Sequence, residues 1–314
     1  MRIRPSLKAK AFKESPLLAI LLPATRTIPH ARQELRWIRE EVDNNFVDQA
    51  ATSNKKTLRF QNRQIDLLRR CMLRGRKGWP LQYVLGNQPF GDSLNILCKP
   101  GVLIPRWETE EWGVKLASIV KANHEFFSDK KYSFRVLDLC TGTGCLGLLL
   151  AEQLENTQVV GMDDSPVAVS LARKNETENR LILDTRNSSF TVSKQDIFAP
   201  FNFDGLFDLV VANPPYISIQ NYNDGLITSP SVRKFEPRHA LVGGLEYYVR
   251  IFEIADQVNA NAVVCELADK LQLDEIQSVL QNGKWNTKEM LDSAGNIRTI
   301  IAWRDQWAWM KNLA

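Results

Sequence analysis

Asn213-Pro214-Pro215-Tyr216 directly follows the apolar run Phe207-Asp208-Leu209-Val210-Val211-Ala212. Pro215 keeps residue 214 out of the helical region, and Pro214 has a fixed φ and no N–H, so the turn is stiff and its carbonyls point outward. The Asn213 side-chain oxygen and the Pro214 carbonyl can each accept one hydrogen of a flat –NH2 group, with the Tyr216 ring as a face for that group to lie against. Such a nitrogen is a poor nucleophile, because its lone pair is delocalised into the attached π-system. Acceptors placed where N–H acidity grows in the transition state help it, at a typical worth of ~3 kcal/mol per well-placed group. The chemistry then needs a strong electrophile.

The segment upstream can bind one. Val136-Leu137-Asp138-Leu139 reads as a strand, Thr141-Gly142-Thr143-Gly144 as a tight turn, and Leu146 to Leu154 as an apolar helix. A second strand, Gln158 to Met162, leads to Asp163, 19 residues beyond Gly144, where a carboxylate can accept from two ribose hydroxyls. Gly142, Gly144 and Gly147 also spell G-x-G-x-x-G, the dinucleotide pattern, so a nicotinamide oxidoreductase is a rival. A dehydrogenase has no evident use for two acceptors and an aromatic at the later strand end, whereas methyl transfer from S-adenosylmethionine to nitrogen does. Within that chemistry the amino group of adenine or cytosine presents the same hydrogens as an amide. The absence of an obvious base-reading insert and the modest charge argue against it, and a non-enzymatic cofactor-sensing scaffold ranks third.

The chain resembles the HemK/PrmC family of protein-(glutamine-N5) methyltransferases, which modify the glutamine of the Gly-Gly-Gln motif in class 1 peptide-chain release factors. The likeness runs from Pro80 to Trp303 and rests on several stretches. They are Pro80-Leu81-Gln82-Tyr83-Val84-Leu85-Gly86, then Gly101-Val102-Leu103-Ile104-Pro105-Arg106 with Glu108-Thr109-Glu110, then Phe235-Glu236-Pro237-Arg238 with Ala240 to Gly244. The resemblance implies a class I S-adenosylmethionine-dependent methyltransferase fold. That is an α/β, Rossmann-like, mostly parallel seven-stranded sheet with a C-terminal antiparallel hairpin, preceded by a small helical N-terminal domain. It assigns Asn213, Pro214, Pro215 and Tyr216 to the glutamine amide, with Asn213, Pro214 and Tyr216 as the catalytic set. Cys140, Thr141, Gly142, Thr143 and Gly144 fall to the methionine part of the cofactor, Asp163 to its ribose, and Asn213 touches both ligands. The family uses no metal and no covalent intermediate. The release factor is the implied protein partner, with no membrane, no direct nucleic acid and a monomeric enzyme expected.

This sequence departs from the family in places. Cys140 stands where the family usually has the first glycine of its cofactor loop, so the backbone there must avoid positive φ or accept strain. Trp107 replaces a proline, and Ile197 lies where some members place an aromatic against adenine.

Five cysteines without a C-x-x-C pair read as reduced thiols, and the three histidines, His30, His124 and His239, form no zinc pattern. A net charge of +4 does not demand nucleic acid. Arg2, Arg4, Lys8, Lys10 and Lys13 precede the first acid, Glu14, and Leu17 to Leu22 is apolar. The run is too short to span a membrane and lacks a secretory cleavage site, so the segment reads as a mitochondrial transit peptide of a fungal-type member. The alternatives are a cytoplasmic enzyme and a first helix opening at Ser15-Pro16 as N-cap and N1.

These motifs need elements to position them. Residues 1–85 carry helical periodicity, with Leu35, Ile38, Val42 and Phe46 on one stripe and Leu58, Ile65, Leu68 and Met72 on another. They form the expected helical, substrate-recognising domain. Residues 86–105 are an expected hairpin linker and 106–314 the methyltransferase domain, in which strands alternate with helices as a parallel sheet requires. Trp285 to Met290 and Arg298 to Trp303 read as a terminal hairpin.

Overall fold

The computed structural model describes residues 3–48, 56–123, 133–201, 205–225, 228–280 and 283–313. The chain divides into two compact units, Met1–Asn87 and Gln88–Ala314.

The first unit is helical: α1 (Pro5–Glu14), α2 (Pro16–Thr25), α3 (Ile28–Asp48), α4 (Lys56–Gly75) and the short α5 (Leu81–Leu85). Ser15 caps α2 by accepting from the Leu17 N–H, and Pro16 opens the helix at its first turn, where a missing N–H costs nothing. The basic N-terminal segment is itself helix α1, with Ala11 buried and Ile3 and Leu7 packed on the same core. On α3, Leu35, Ile38 and Val42 are buried as their spacing requires. On α4 the outcome differs. Ile65 and Leu68 are 64% and 47% exposed, and the buried positions are Leu67 and Cys71, while Leu58 lies outside the residues whose side chains are described. Both stripes satisfy helical spacing, and packing against α2 and α3 decides which one is covered.

The second unit begins with the two-stranded sheet of β1 (Asn87–Phe90) and β2 (Leu94–Leu97), followed by α6 (Trp107–Ala122). Then come β3 (Phe134–Leu139), α7 (Cys145–Gln153), β4 (Thr157–Asp163), α8 (Pro166–Thr185), β5 (Ser189–Lys194) and β6 (Leu209–Ala212). After two short helices, α9 (Ile219–Asp224) and α10 (Pro230–Phe235), follow α11 (Leu245–Gln257), β7 (Ala262–Glu266), α12 (Lys270–Val279), β8 (Asn286–Leu291) and β9 (Ile297–Trp303). The sheet order is β5-β4-β3-β6-β7-β9-β8, parallel except for β9, which runs antiparallel to both neighbours. This is the class I methyltransferase topology, with the expected antiparallel ending.

The central strands are apolar on both faces because helices cover both faces. Val136, Leu209, Val211 and Val264 join one core with α6, α7 and α8. Their neighbours Leu137, Val210 and Val263 join the other with α11 and α12. The strand order reverses between β3 and β6, so the loops at their carboxyl ends splay apart and leave a crevice.

Candidate active site

The crevice holds a cavity with about 970 Å³ of space, part of it open to solvent. The ends of β3, β4 and β6 furnish it. Cys140, Thr141, Gly142 and Thr143 follow β3, Asp163 ends β4, and Asn213 and Pro215 follow β6. Glu266 ends β7 just behind.

On one wall the turn after β3 is tied to two carboxylates. Thr141 Oγ1 donates to Asp138 Oδ2 at 2.5 Å, and the Gly147 N–H donates to the same oxygen at 3.1 Å. The Gly142 N–H donates to Asp163 Oδ2 and the Ser165 N–H to Oδ1, both at 2.9 Å. Each Asp163 oxygen therefore keeps a lone pair for a ligand hydroxyl. Burial pushes the Asp163 carboxyl up and drives Asp138 up to about 7, as it must for an acid withdrawn from water. Gly142 has φ 56°, and a Cβ there would meet nothing within 4 Å, so its backbone borders open cavity. Gly144 does not line the cavity; its missing Cβ leaves room for the Phe190 ring, 3.0 Å from where that carbon would sit.

Cys140 takes the strained option, with φ 58°. A side chain in the left-handed region costs roughly 1–2 kcal/mol. Its thiol is pushed well above the ordinary range, first by burial and then by the nearby acids, so it is no thiolate nucleophile. Asn175 on α8 steadies the turn from behind. Its Nδ2 donates to the Thr143 carbonyl at 2.8 Å, while its Oδ1 accepts from the Leu97 N–H at 2.8 Å.

The opposite wall is held by side chains from far along the chain. Asn213 Nδ2 donates to Thr109 Oγ1 at 3.0 Å, and Thr109 Oγ1 donates to Glu266 Oε2 at 2.6 Å. Trp112 Nε1 donates to that oxygen at 2.9 Å, and the Tyr216 hydroxyl donates to Glu266 Oε1 at 3.0 Å. Glu266 is 1% exposed; burial raises its carboxyl, against the opposing pull of these three donors. Pro214 is buried and Tyr216 half-buried, and neither lines the cavity as Asn213 and Pro215 do. The Asn213–Tyr216 turn is clamped by a bridge between Ile217 and Val242. Next to it Gly243 passes so close that a Cβ would sit 2.3 Å from the Pro215 carbonyl oxygen, so only glycine fits.

Two stretches singled out in the sequence meet here across 130 residues. Arg106 Nη2 donates to Glu236 at 2.8 and 2.9 Å, and the Ile104 N–H donates to the same carboxylate at 3.1 Å. Trp107 is 52% exposed, and Thr109, two residues on, is buried in the site. Ile197 lines the cavity, joined by Phe198, Tyr247 and His239. His124 lies outside the described residues.

Sequence reasoning missed Glu266, Trp112 and the role of Thr109. The available signal was a lone acid closing the otherwise apolar run Ala262-Val263-Val264-Cys265, since an acid is almost never fully buried without partners.

Among the described residues no group of three or more His, Cys, Asp or Glu side chains could hold a metal ion. No described helix is long and apolar enough to cross a membrane. On one side the arrangement offers a buried carboxylate, Asp163, held by two backbone N–H groups, with a lone pair free on each oxygen for a hydroxyl-bearing ligand. On the other, Asn213 Oδ1 has no partner among the described residues.

The methyltransferase small domain model matches residues 124–229. The mitochondrial MRF1 N(5)-glutamine methyltransferase MTQ1 of Saccharomyces cerevisiae is 33% identical over 96% of this chain and 89% of its own length. The probable MRF1 mitochondrial N(5)-glutamine methyltransferase mtq1 of Schizosaccharomyces pombe is 30% identical over 97% of each. Among solved structures, the hMettl16 catalytic domain in complex with a MAT2A 3'UTR hairpin aligns with a TM-score of 0.48 at 18% identity. That alignment covers 77% of this chain and 80% of the other.

Proposed function

The chain belongs to the N(5)-glutamine methyltransferase family of these relatives, and on that premise we propose that it methylates the glutamine amide nitrogen in the Gly-Gly-Gln motif of a class 1 peptide-chain release factor. The observation behind this reading is the state of the Asn213 amide. Its Nδ2 is committed to Thr109, so its Oδ1, without a partner among the described residues, is the atom left for an incoming N–H.

Bound in the cavity, S-adenosylmethionine supplies an electrophilic methyl on a sulfonium, and its transfer turns that sulfur into a neutral thioether. Asp163 is suited to accept from both ribose hydroxyls, and the cavity-lining turn from Cys140 to Thr143 to flank the methionine part. Ile197, Phe198 and Tyr247 offer an apolar slot for a flat base. Asn213 Oδ1 takes one hydrogen of the substrate –NH2; for the other, the family resemblance assigns the carbonyl of Pro214, a residue that does not itself line the cavity. Held this way, the amide nitrogen points its π-density at the methyl; as the N–C bond forms the nitrogen sheds one proton to water. Tyr216, set back from the cavity, holds the turn in place through its hydroxyl on Glu266. Positioning, rather than acid–base chemistry, supplies most of the rate.

The relatives' mitochondrial names support a mitochondrial enzyme acting on the organellar release factor. We assign the protein-substrate contact to the helical residues 1–85, the hairpin to 86–105 and catalysis to 106–314, in a monomer.

Incubation with methyl-labelled S-adenosylmethionine tests the reading. Label should enter a mitochondrial class 1 release factor and not its Gln→Ala Gly-Gly-Gln variant. Label in the variant, or in DNA or RNA offered instead, overturns it.

A further inference from the structure

Asn213 can present its Oδ1 to a substrate only if its amide is prevented from flipping, and a carboxamide has nearly the same shape either way round. We infer that Thr109 and Glu266 form a polarity relay that fixes this orientation, making both positioning residues for methyl transfer. The inference rests on the reading that Asn213 accepts a substrate N–H.

A hydroxyl has one proton to donate. The Glu266 carboxylate, facing Thr109, Trp112 and Tyr216, has donors on both oxygens. Thr109 therefore gives its single proton to Glu266, at 2.6 Å, and has only lone pairs left. Asn213 must turn its –NH2 toward those lone pairs, at 3.0 Å, and its Oδ1 away from them. A flipped amide would set oxygen lone pairs against oxygen lone pairs with no proton between them.

The relay is buried and drawn from three elements. Thr109 and Glu266 are 2% and 1% exposed, so water cannot replace either partner cheaply. Trp112, on the same helix as Thr109, and Tyr216, in the same turn as Asn213, saturate the carboxylate so that it cannot swing away. A second layer fixes the turn and the end of β7: Gln272 Nε2 donates to the Tyr216 carbonyl at 3.3 Å, and the Tyr248 hydroxyl donates to the Glu266 carbonyl at 2.8 Å.

Steady-state and single-turnover methylation of the release factor by Thr109→Val, Thr109→Ser and Glu266→Gln tests the relay, alongside calorimetric binding of S-adenosylhomocysteine. Thr109→Val keeps the volume but removes the hydroxyl, and should lower kcat about 100-fold, the usual cost of a reacting group misplaced by about 1 Å. KM for the release factor and the affinity for S-adenosylhomocysteine should stay near wild type. Thr109→Ser should restore kcat to within a few-fold. Glu266→Gln, with one acceptor oxygen for three donors, should fall with Thr109→Val. In an Asn213→Ala background Thr109→Val should cost nothing further, because there is no amide left to orient; a merely structural threonine would cost as much there as in wild type. A wild-type kcat for Thr109→Val, or an equal loss in the Asn213→Ala background, overturns the relay.

If the wild-type enzyme leaves the release factor unmethylated, the functional reading fails by itself. The relay is then decided by the Asn213 side-chain amide resonances, assigned by their absence in Asn213→Ala. They should shift in Thr109→Val and stay put in Thr109→Ser, and an unmoved pair in Thr109→Val overturns the relay.

Discussion

The two walls of the cavity are built by opposite means. The β3–β4 wall is local: its turn, Asp138, Asp163 and Ser165 all fall within one strand–turn–helix–strand unit, and main-chain N–H groups make three of the four contacts that shape it. The β6–β7 wall is assembled from a distance. Thr109 reaches Asn213 across 104 residues and Glu266 across 157, and every bond in that chain is between side chains. The first wall hangs main-chain N–H groups on two carboxylates close in sequence, whereas the second depends on side-chain partners brought together from distant segments.

That contrast is sharpest in the separation of binding from turnover. Asn213→Ala should lower kcat on the order of 1000-fold, the upper range for loss of one preorganised hydrogen-bonding group, with the affinity for S-adenosylhomocysteine changed by less than about threefold. Asp163→Ala should do the reverse. Losing two hydrogen bonds to a charged group, each worth at least about 1.5 kcal/mol, should weaken S-adenosylhomocysteine by at least about 100-fold, with most of kcat retained at saturating donor. Calorimetry and single-turnover assays read both. A loss of cofactor affinity in Asn213→Ala as large as in Asp163→Ala would mean the walls are not separate.

A smaller effect sits in the backbone-built wall. The Asp138 carboxyl titrates at about 7 in the folded protein and near 3.9 in an unfolded chain. A carboxyl raised by folding lends its stability below the unfolded value and loses it as pH rises through the folded one. Asp138 should therefore contribute a loss of stability to the ligand-free enzyme between about pH 4 and pH 7, and Asp138→Asn should remove that contribution to the slope. Urea denaturation across this range measures it; parallel curves for the two proteins would contradict the burial account.

The smallest expected change is at Cys140. Cys140→Gly relieves a left-handed φ worth roughly 1–2 kcal/mol but loosens the unfolded chain by about 0.5–1 kcal/mol. Net stabilisation of at most about 1.5 kcal/mol should appear as a small rise in Tm. Destabilisation would show that the thiol's packing outweighs the strain.

How legible each wall was follows from its construction. The glycine turn and Asp163 stood out in the sequence because strand, turn and helix are short-range signals. Asn213-Pro214-Pro215-Tyr216 stood out because two prolines stiffen any chain. Thr109 and Glu266 did not, since no local pattern marks a hydroxyl that will meet a carboxylate 157 residues away. Arg106 and Glu236 were visible as stretches, but their salt bridge was not. On α4 two stripes obeyed the same period, and the exposed one was the more conspicuous.

The order of strands and helices, the stiff turn after β6 and the acid at the end of β4 were legible from residue type and spacing, because backbone sterics and hydrophobic period act over a few residues. The direction in which Asn213 points its oxygen was settled only by the packed fold. That orientation depends on which buried proton lies between which two acceptors, and such an arrangement exists only once α6, the turn after β6 and the end of β7 have come together.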